Sequence, residues 1–314
     1  MRNALVVGGS GFIGQHLVHL LLSRGYRVTV YDRAPRRHHV NAEDVFQYVQ
    51  GELGNQALLR EHLAGIDVVF HLACTTIPKT SNEEPAFDVE SNVVPSIGLL
   101  TECVQAGVGR VVFVSSGGTV YGIPKDLPVR EDHLTMPICS YGITKLMIEH
   151  YLALFRHLYG LRYSIIRPSN PYGEGQNYYG QQGAVTVFLG RIAMGQPIEI
   201  WGDGSVVRDY FYVGDLAQAC LQAAETEIPD LVANVGSGQG LSLRELLTVI
   251  RESIGIEFAV HYSEARPFDV PYLVLDIDRA RRLLSWEPQV PMTDGIQRTW
   301  EWVCRHVHAE DSQP

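Results

Sequence analysis

The chain lacks the features that would place it in several common classes. No run approaches the ~20 uncharged apolar residues needed to span a bilayer, so no membrane partner is expected. Its five cysteines (Cys74, Cys103, Cys139, Cys220 and Cys304) are odd in number and never form a CxxC pair. They make a poor disulfide framework and a poor zinc site, and no metal is expected. Cations are outnumbered, 25 Lys and Arg against 35 Asp and Glu, for a formal charge of −10. Nucleic-acid binding needs a basic face that displaces condensed counterions, so that partner is excluded. A small dianion needs only a few converging arginines and stays open. No charged, apolar, small-residue leader precedes MRNALVVGG, so the expected address is the cytoplasm. There is no internal repeat or low-complexity run.

What is present is an ordinary globular composition, 46% hydrophobic over 314 residues, enough for one large core or two modest ones. Short β-branched runs at 4–7, 27–31, 45–49, 68–72, 110–115 and 162–167 alternate with amphipathic segments at 13–24, 57–63, 93–106 and 141–159. Continuous apolar strands separated by helices imply a parallel sheet covered on both faces. The predicted fold class is therefore α/β, a doubly wound parallel sheet of Rossmann type. After Pro168 the rhythm changes. Residues 170–183 read as loop, followed by helices at 185–194, 215–225 and 242–254 and strands at 198–201 and 231–235. The last of these helices carries Ser242 at its cap and Glu245 three residues on, the pattern of a capping box. This gives 1–168 as the sheet domain and 169–314 as a smaller α/β lobe, interleaved with the first and packed over the carboxyl ends of the strands.

Gly8-Gly9-Ser10-Gly11-Phe12-Ile13-Gly14 falls between the first strand and the first helix. Its GxxGxxG spacing suits a dinucleotide: Gly8 for the tight turn, Gly11 for approach of the pyrophosphate, Gly14 for close helix–strand packing. The helix N-terminus, at Phe12 and Ile13, then offers free N–H groups to the phosphates. Asp32 ends the second strand, where a ribose 2′-hydroxyl would lie and a 2′-phosphate would be repelled, which favours NAD. Arg33 and Arg36 follow it and argue the other way.

Tyr141 and Lys145 form a YxxxK on a predicted helix, one turn apart on one face. A free phenol titrates near ~10, so acting as a base near neutrality requires about 4 kcal/mol of phenolate stabilisation. Lys145 and a cationic nicotinamide ring would supply it. With SSGGTVYG at 115–122, His71-Leu-Ala, Asn92-Val, RPSNPYG at 167–173, WGDGS at 201–205, RDYFYVGD at 208–215 and Arg266-Pro-Phe-Asp269, the sequence resembles the extended short-chain dehydrogenase/reductases over nearly its whole length. Within them it is most similar to the nucleotide-sugar epimerases and dehydratases, the UDP-hexose 4-epimerases in particular.

That resemblance implies an NAD-dependent enzyme acting on a UDP-sugar through a transient 4-keto sugar. It implies Tyr141 as the base and Lys145 as its partner and ribose ligand. Glu52 and Leu53 would stand by the adenine, and Leu72, Ala73 and Cys74 beside the adenosine ribose and pyrophosphate. Asn92, Ser115 and Pro168 would line the cofactor channel. Asn170, Val185, Trp201, Arg208, Arg266 and Asp269 would hold the UDP moiety. A homodimer, packed through the helices at 93–106 and 146–158, is the family's usual assembly. Three departures stand out. Gly117 replaces the usual hydroxyl residue at the sugar, leaving Thr119 and Ser116 as candidates to reach the same oxygen. Glu52 stands for a common Asp. Leu273 aligns with a residue that gates the sugar 2-substituent, which suggests admission of N-acetylhexosamines. The carboxylate pair of the dehydratases is missing at Gly118 and Thr119. A 4-ketosugar reductase, needing the same Tyr and Lys, and a non-catalytic dinucleotide-binding protein remain as alternatives.

Overall fold

The structure, a computed structural model, describes residues 1–36, 38, 45–180, 182–264 and 270–310, without the side chains of 308–310. Seven parallel strands form the main sheet in the spatial order Asp230–Val235, Tyr163–Pro168, Arg110–Val114, Val68–His71, Asn3–Val7, Arg27–Asp32, Phe46–Gln50. Strand side chains alternate between two cores. Ala4, Val6, Val28, Val30 and Val112 face one, while Leu5, Val7, Val69, Val111 and Phe113 face the other. With both faces covered, the inner strands show no polar alternation and read as unbroken apolar runs, whereas the edge strand Phe46–Gln50 alternates. Helices Phe12–Ser23 and Val213–Glu225 cover the first face, and Gln56–Leu63, Val94–Ala106 and Ser140–Tyr159 the second. The strand order reverses between Asn3–Val7 and Val68–His71, so a crevice opens at their carboxyl ends.

A third core, built from Tyr172, Phe188, Ile198, Tyr210, Leu246 and Val303 among others, belongs to the smaller lobe. Its helix Leu243–Ile254 begins with the expected capping box: the Ser242 hydroxyl accepts from the Glu245 N–H at 3.2 Å, and Glu245 accepts from the Ser242 N–H at 2.8 Å. One placement differs from expectation. The strand read at 231–235 is not part of this lobe. It is the seventh strand of the main sheet, paired along its whole length with Tyr163–Pro168. Helix Val213–Glu225 returns with it to pack on Phe12–Ser23. Helices Asp278–Leu284 and Met292–Glu310 were not anticipated. Among the described residues no helix is long and apolar enough to cross a membrane.

Helix Ser140–Tyr159 is fixed to the sheet by an ion pair buried on both sides. The Arg167 guanidinium, 8% exposed, forks onto Glu149, 5% exposed, through Nη2 to Oε2 at 2.5 Å and Nε to Oε1 at 3.1 Å. Ser115 also donates to Glu149, and Arg167 Nη1 donates to the Tyr121 hydroxyl at 2.9 Å. Removing one partner strands a charge in the core at a cost of about 3–5 kcal/mol. Arg167→Met is therefore expected to lower the free energy of unfolding by about that amount, measured by urea denaturation. A loss below 1 kcal/mol would show that solvent reaches the pair.

Candidate active site

The glycine-rich turn is shaped by contacts that exclude side chains. Gly8 sits at φ +85°, and a Cβ on it would lie 2.6 Å from the Ala73 nitrogen. A Cβ on Gly14 would lie 2.6 Å from the Gly9 Cα. At Gly11 the space is nearly open, with only the Gly8 carbonyl at 3.3 Å. Asp32 closes the turn: its carboxylate accepts from the Ser10 N–H at 2.8 Å and the Ala34 N–H at 2.9 Å. Gly8, Gly11 and Asp32 border a cavity of about 260 Å³ at the strand-order reversal, and Gly14 lies behind it against Gly9. Of the residues expected at a dinucleotide, Gly8, Gly11, Asp32, Arg33, Glu52, Leu53, Leu72, Ala73, Cys74 and Asn92 line it. Ser10, Thr75 and Ser91 line it as well and were not anticipated. The cleft thus pairs a Cβ-free approach to a helix N-terminus with a carboxylate at the second strand's end, and a dinucleotide fits it.

Tyr141 starts the long helix, and Lys145 follows one turn later on the same face. The Lys145 ammonium lies 5.5 Å from the Tyr141 ring centroid and donates to the Val114 carbonyl at 3.0 Å. Burial pushes the Tyr141 phenol well above its ordinary value of 10.0, and Cys74, Cys139 and Asp88 push the same way. The Lys145 ammonium beside the ring is placed to oppose them. Deeper still, His71 is driven down to about 3 by burial and by Lys145, so it is neutral. The Thr119 hydroxyl is buried and has no hydrogen-bond partner among the described residues, whereas Ser116 is half-buried and its carbonyl accepts from the Thr119 and Val120 N–H groups.

Several expected contributors point elsewhere. Ser115, 2% exposed, directs its hydroxyl into the Glu149–Arg167 pair and away from the cavity. Pro168 is buried in its strand, its carbonyl taken by the Gly117 N–H. Phe12 and Ile13 pack their side chains against the smaller lobe's core, leaving only their backbone at the helix N-terminus. Val185, 1% exposed, is a core residue of that lobe. Leu273, 2% exposed, packs with Val120, Tyr121 and Leu275 and lines neither cavity. Arg266 and Asp269 lie outside the described residues.

A second cavity, of about 460 Å³, opens in the smaller lobe. Trp201 lines it with Val187, Phe188, Arg191, Glu199 and Lys79. Arg191 and Lys79 were missed, since nothing in their local pattern separates them from solvent-facing charge. Asn170 donates to the Asp209 carbonyl at 3.1 Å, and Arg208 donates to the Val270 carbonyl at 2.6 Å. Both brace the lobe.

Residues 4–236 match the model of the NAD dependent epimerase/dehydratase family. The UDP-glucose 4-epimerase of Mycolicibacterium smegmatis is 37% identical over 306 residues, covering 95% of this chain and 97% of its own. A dTDP-4-dehydro-6-deoxyglucose reductase of Escherichia coli is 32% identical over 305 residues, covering 95% and 96%. Among solved structures, the UDP-glucose 4-epimerase of Thermotoga maritima with UDP-glucose superposes at a TM-score of 0.91 with 35% identity, covering 98% of this chain and 100% of that one.

Gly117 has a steric explanation. A Cβ there would lie 2.5 Å from Leu275 Cδ1, 2.9 Å from the Arg167 carbonyl and 3.1 Å from the Pro168 carbonyl. A side chain added there would enter a packed wall and not a cavity, so packing explains the glycine. Gly117→Ser is expected to cost about 1–3 kcal/mol of stability through overpacking, read by thermal melting, with no gain in turnover. A stable, faster variant would show that the wall yields.

Proposed function

The chain belongs to the NAD dependent epimerase/dehydratase family, and we propose that it catalyses the 4-epimerisation of a UDP-hexose through a transient 4-keto sugar. One observation carries the reading: Tyr141 and Lys145 are fixed on one helix face beside a dinucleotide-shaped cleft, and no carboxylate stands at Gly118 or Thr119 to drive loss of water. NAD, when bound, supplies a reversible acceptor for the hydrogen at C4′. Gly8, Gly11, Asp32, Glu52 and Asn92 would hold it. Tyr141 takes the proton of the 4′-hydroxyl, and Lys145 stabilises the phenolate that this requires. The buried Thr119 hydroxyl is the second hydrogen-bonding group for the same oxygen. Trp201, Arg191 and Lys79 would receive the uridine diphosphate in the second cavity, the guanidinium suited to a phosphate by its planar fork.

The division of labour follows the chain, with the cofactor held by residues before 168 and the nucleotide-sugar mainly by those after it. Phe87, Val94, Leu154 and Leu158, between 43% and 57% exposed, leave an apolar surface along the helical run 85–106 and the adjoining helix Ser140–Tyr159, which supports a homodimer. The reading carries with it a cytoplasmic address. A 4-ketosugar reductase is the second reading, favoured by the reductase among the relatives. It separates cleanly: an epimerase turns over on the cofactor it carries, whereas a reductase consumes added NADPH.

Incubation of the purified protein with UDP-glucose and with UDP-GlcNAc, without added cofactor, is expected to produce the galacto epimer, followed by the anomeric protons in NMR. No conversion, together with oxidation of added NADPH by a ketosugar, would favour the reductase. Tyr141→Phe is expected to lower kcat by about 10²–10⁴ with little change in KM. Lys145→Met removes the cation beside the phenol, so the acid limb of the pH–rate profile should move to higher pH. A limb that stays in place would remove Lys145 from that role.

A further inference from the structure

The start of helix Ser140–Tyr159 is not capped by its own residues: Cys139, at the cap position, makes no side-chain cap. The free N–H groups are taken from across the fold. Asn82 accepts from the Ser140 N–H at 2.9 Å, and Ser81 accepts from the Tyr141 N–H at 3.0 Å. Behind them lies Asp88, fully buried at 0% exposure, with no lysine or arginine paired to it among the described residues. A buried carboxylate without a cation is expensive and survives only where every oxygen is satisfied. Here one oxygen accepts from Thr76 at 2.5 Å and Asn92 at 2.9 Å. The other accepts from Ser140 at 2.7 Å and Thr144 at 3.3 Å. Thr144 also reaches back to the Tyr141 carbonyl at 2.9 Å.

Those two pairs of donors belong to different parts of the site. Asn92 borders the dinucleotide cleft and accepts from the Thr75 N–H at 2.9 Å, which fixes the turn that lines the same cleft. Ser140 and Thr144 flank Tyr141. A π-turn, Val89–Val93, follows Asp88 directly and carries Asn92. We propose that Asp88 is the positioning residue for Tyr141, a single carboxylate that ties the start of the tyrosine's helix to the wall of the cofactor cleft. The inference rests on the reading of Tyr141 as the base.

The arrangement has a built-in opposition. The carboxylate favours the positive end of the helix and so holds Tyr141 in place. The same negative charge works against the phenolate, together with Cys74 and Cys139, while Lys145 works for it. Placement and acidity are therefore set against each other by one group, and the two can be separated by substitution. In Asp88→Asn the amide nitrogen can donate to the Ser140 and Thr144 hydroxyls, which rotate to accept, so the tether is kept while the charge is lost. In Asp88→Ala both are lost.

The test is the pH–rate profile and KM of the purified full-length protein with UDP-glucose, beside thermal melts and bound NAD content. Asp88→Ala should lower kcat by about tenfold to a hundredfold, the scale of a misplaced reacting group, with KM within about twofold. Asp88→Asn should recover most of that loss and carry its acid limb to lower pH than the wild type. An Asp88→Ala protein with wild-type kcat, or an Asp88→Asn protein whose limb does not move, overturns the proposal. If Asp88→Ala does not fold, the Ser140→Ala/Thr144→Val double variant keeps the charge and cuts the tether. It should lose kcat without the downward shift, and unchanged kcat overturns the proposal equally. Tyr141→Phe, run alongside, distinguishes the two levels: if it retains activity the parent reading fails, whatever Asp88 does.

Discussion

The chemistry depends on where one helix stops sliding. Tyr141, Lys145 and Glu149 lie four residues apart on a single stripe of Ser140–Tyr159, and each is bound to something that does not move with the helix. Glu149 meets Arg167 from the strand beside it, Lys145 meets the Val114 carbonyl at the end of another strand, and the Tyr141 N–H meets Ser81 from a connecting helix. Apolar packing alone would tolerate a small slip along the axis. A buried, forked ion pair does not, because losing alignment exposes each charge to an apolar core. Directionality comes from the polar contacts, and the surrounding apolar burial supplies most of the cohesion.

Around that fixed stripe the two cavities take complementary parts. The first is walled by backbone and small residues at the strand-order reversal, as a dinucleotide approaching a helix N-terminus demands. The second is walled by Trp201, Phe188 and Val187 with Arg191, an apolar and aromatic surface beside a cation. The short helix Pro78–Glu83 touches both arrangements, since Lys79 borders the second cavity while Ser81 caps the tyrosine. A change at that helix would be felt at the second cavity and at the tyrosine together.

Much of this was legible in the sequence where the signal was local. The glycine triplet followed by Asp32, the YxxxK spacing and the Ser242–Glu245 box each encode their geometry within a few residues, and each is found as read. The residues whose side chains lie elsewhere than expected share a cause. Ser115, Gly117 and Val185 were placed by their neighbours in the chain, yet adjacency does not say which way a side chain turns at a strand's end or on a helix. Ser115 turns to Glu149, 34 residues away, and Leu275 fills the space that a side chain at Gly117 would need. The strand at Asp230–Val235 has the composition of a strand in either lobe, and only its pairing with Tyr163–Pro168 assigns it. Asp88 and Arg191 carry no motif at all. Their partners come together only in the folded chain.

The return of Val213–Val235 to the main sheet has a mechanical consequence. The chain leaves the sheet after Pro168, comes back for a helix and a strand, and departs again before Asp278–Leu284 packs once more near that strand. The two lobes are therefore stitched together by repeated passes, unlike a pair of domains joined at one flexible neck. Opening the cleft by swinging one lobe as a rigid jaw would bend all of those passes at once. Entry and exit of a nucleotide-sugar are better served by the loops at the rim, and the floor between the lobes behaves as a fixed anvil against which they work.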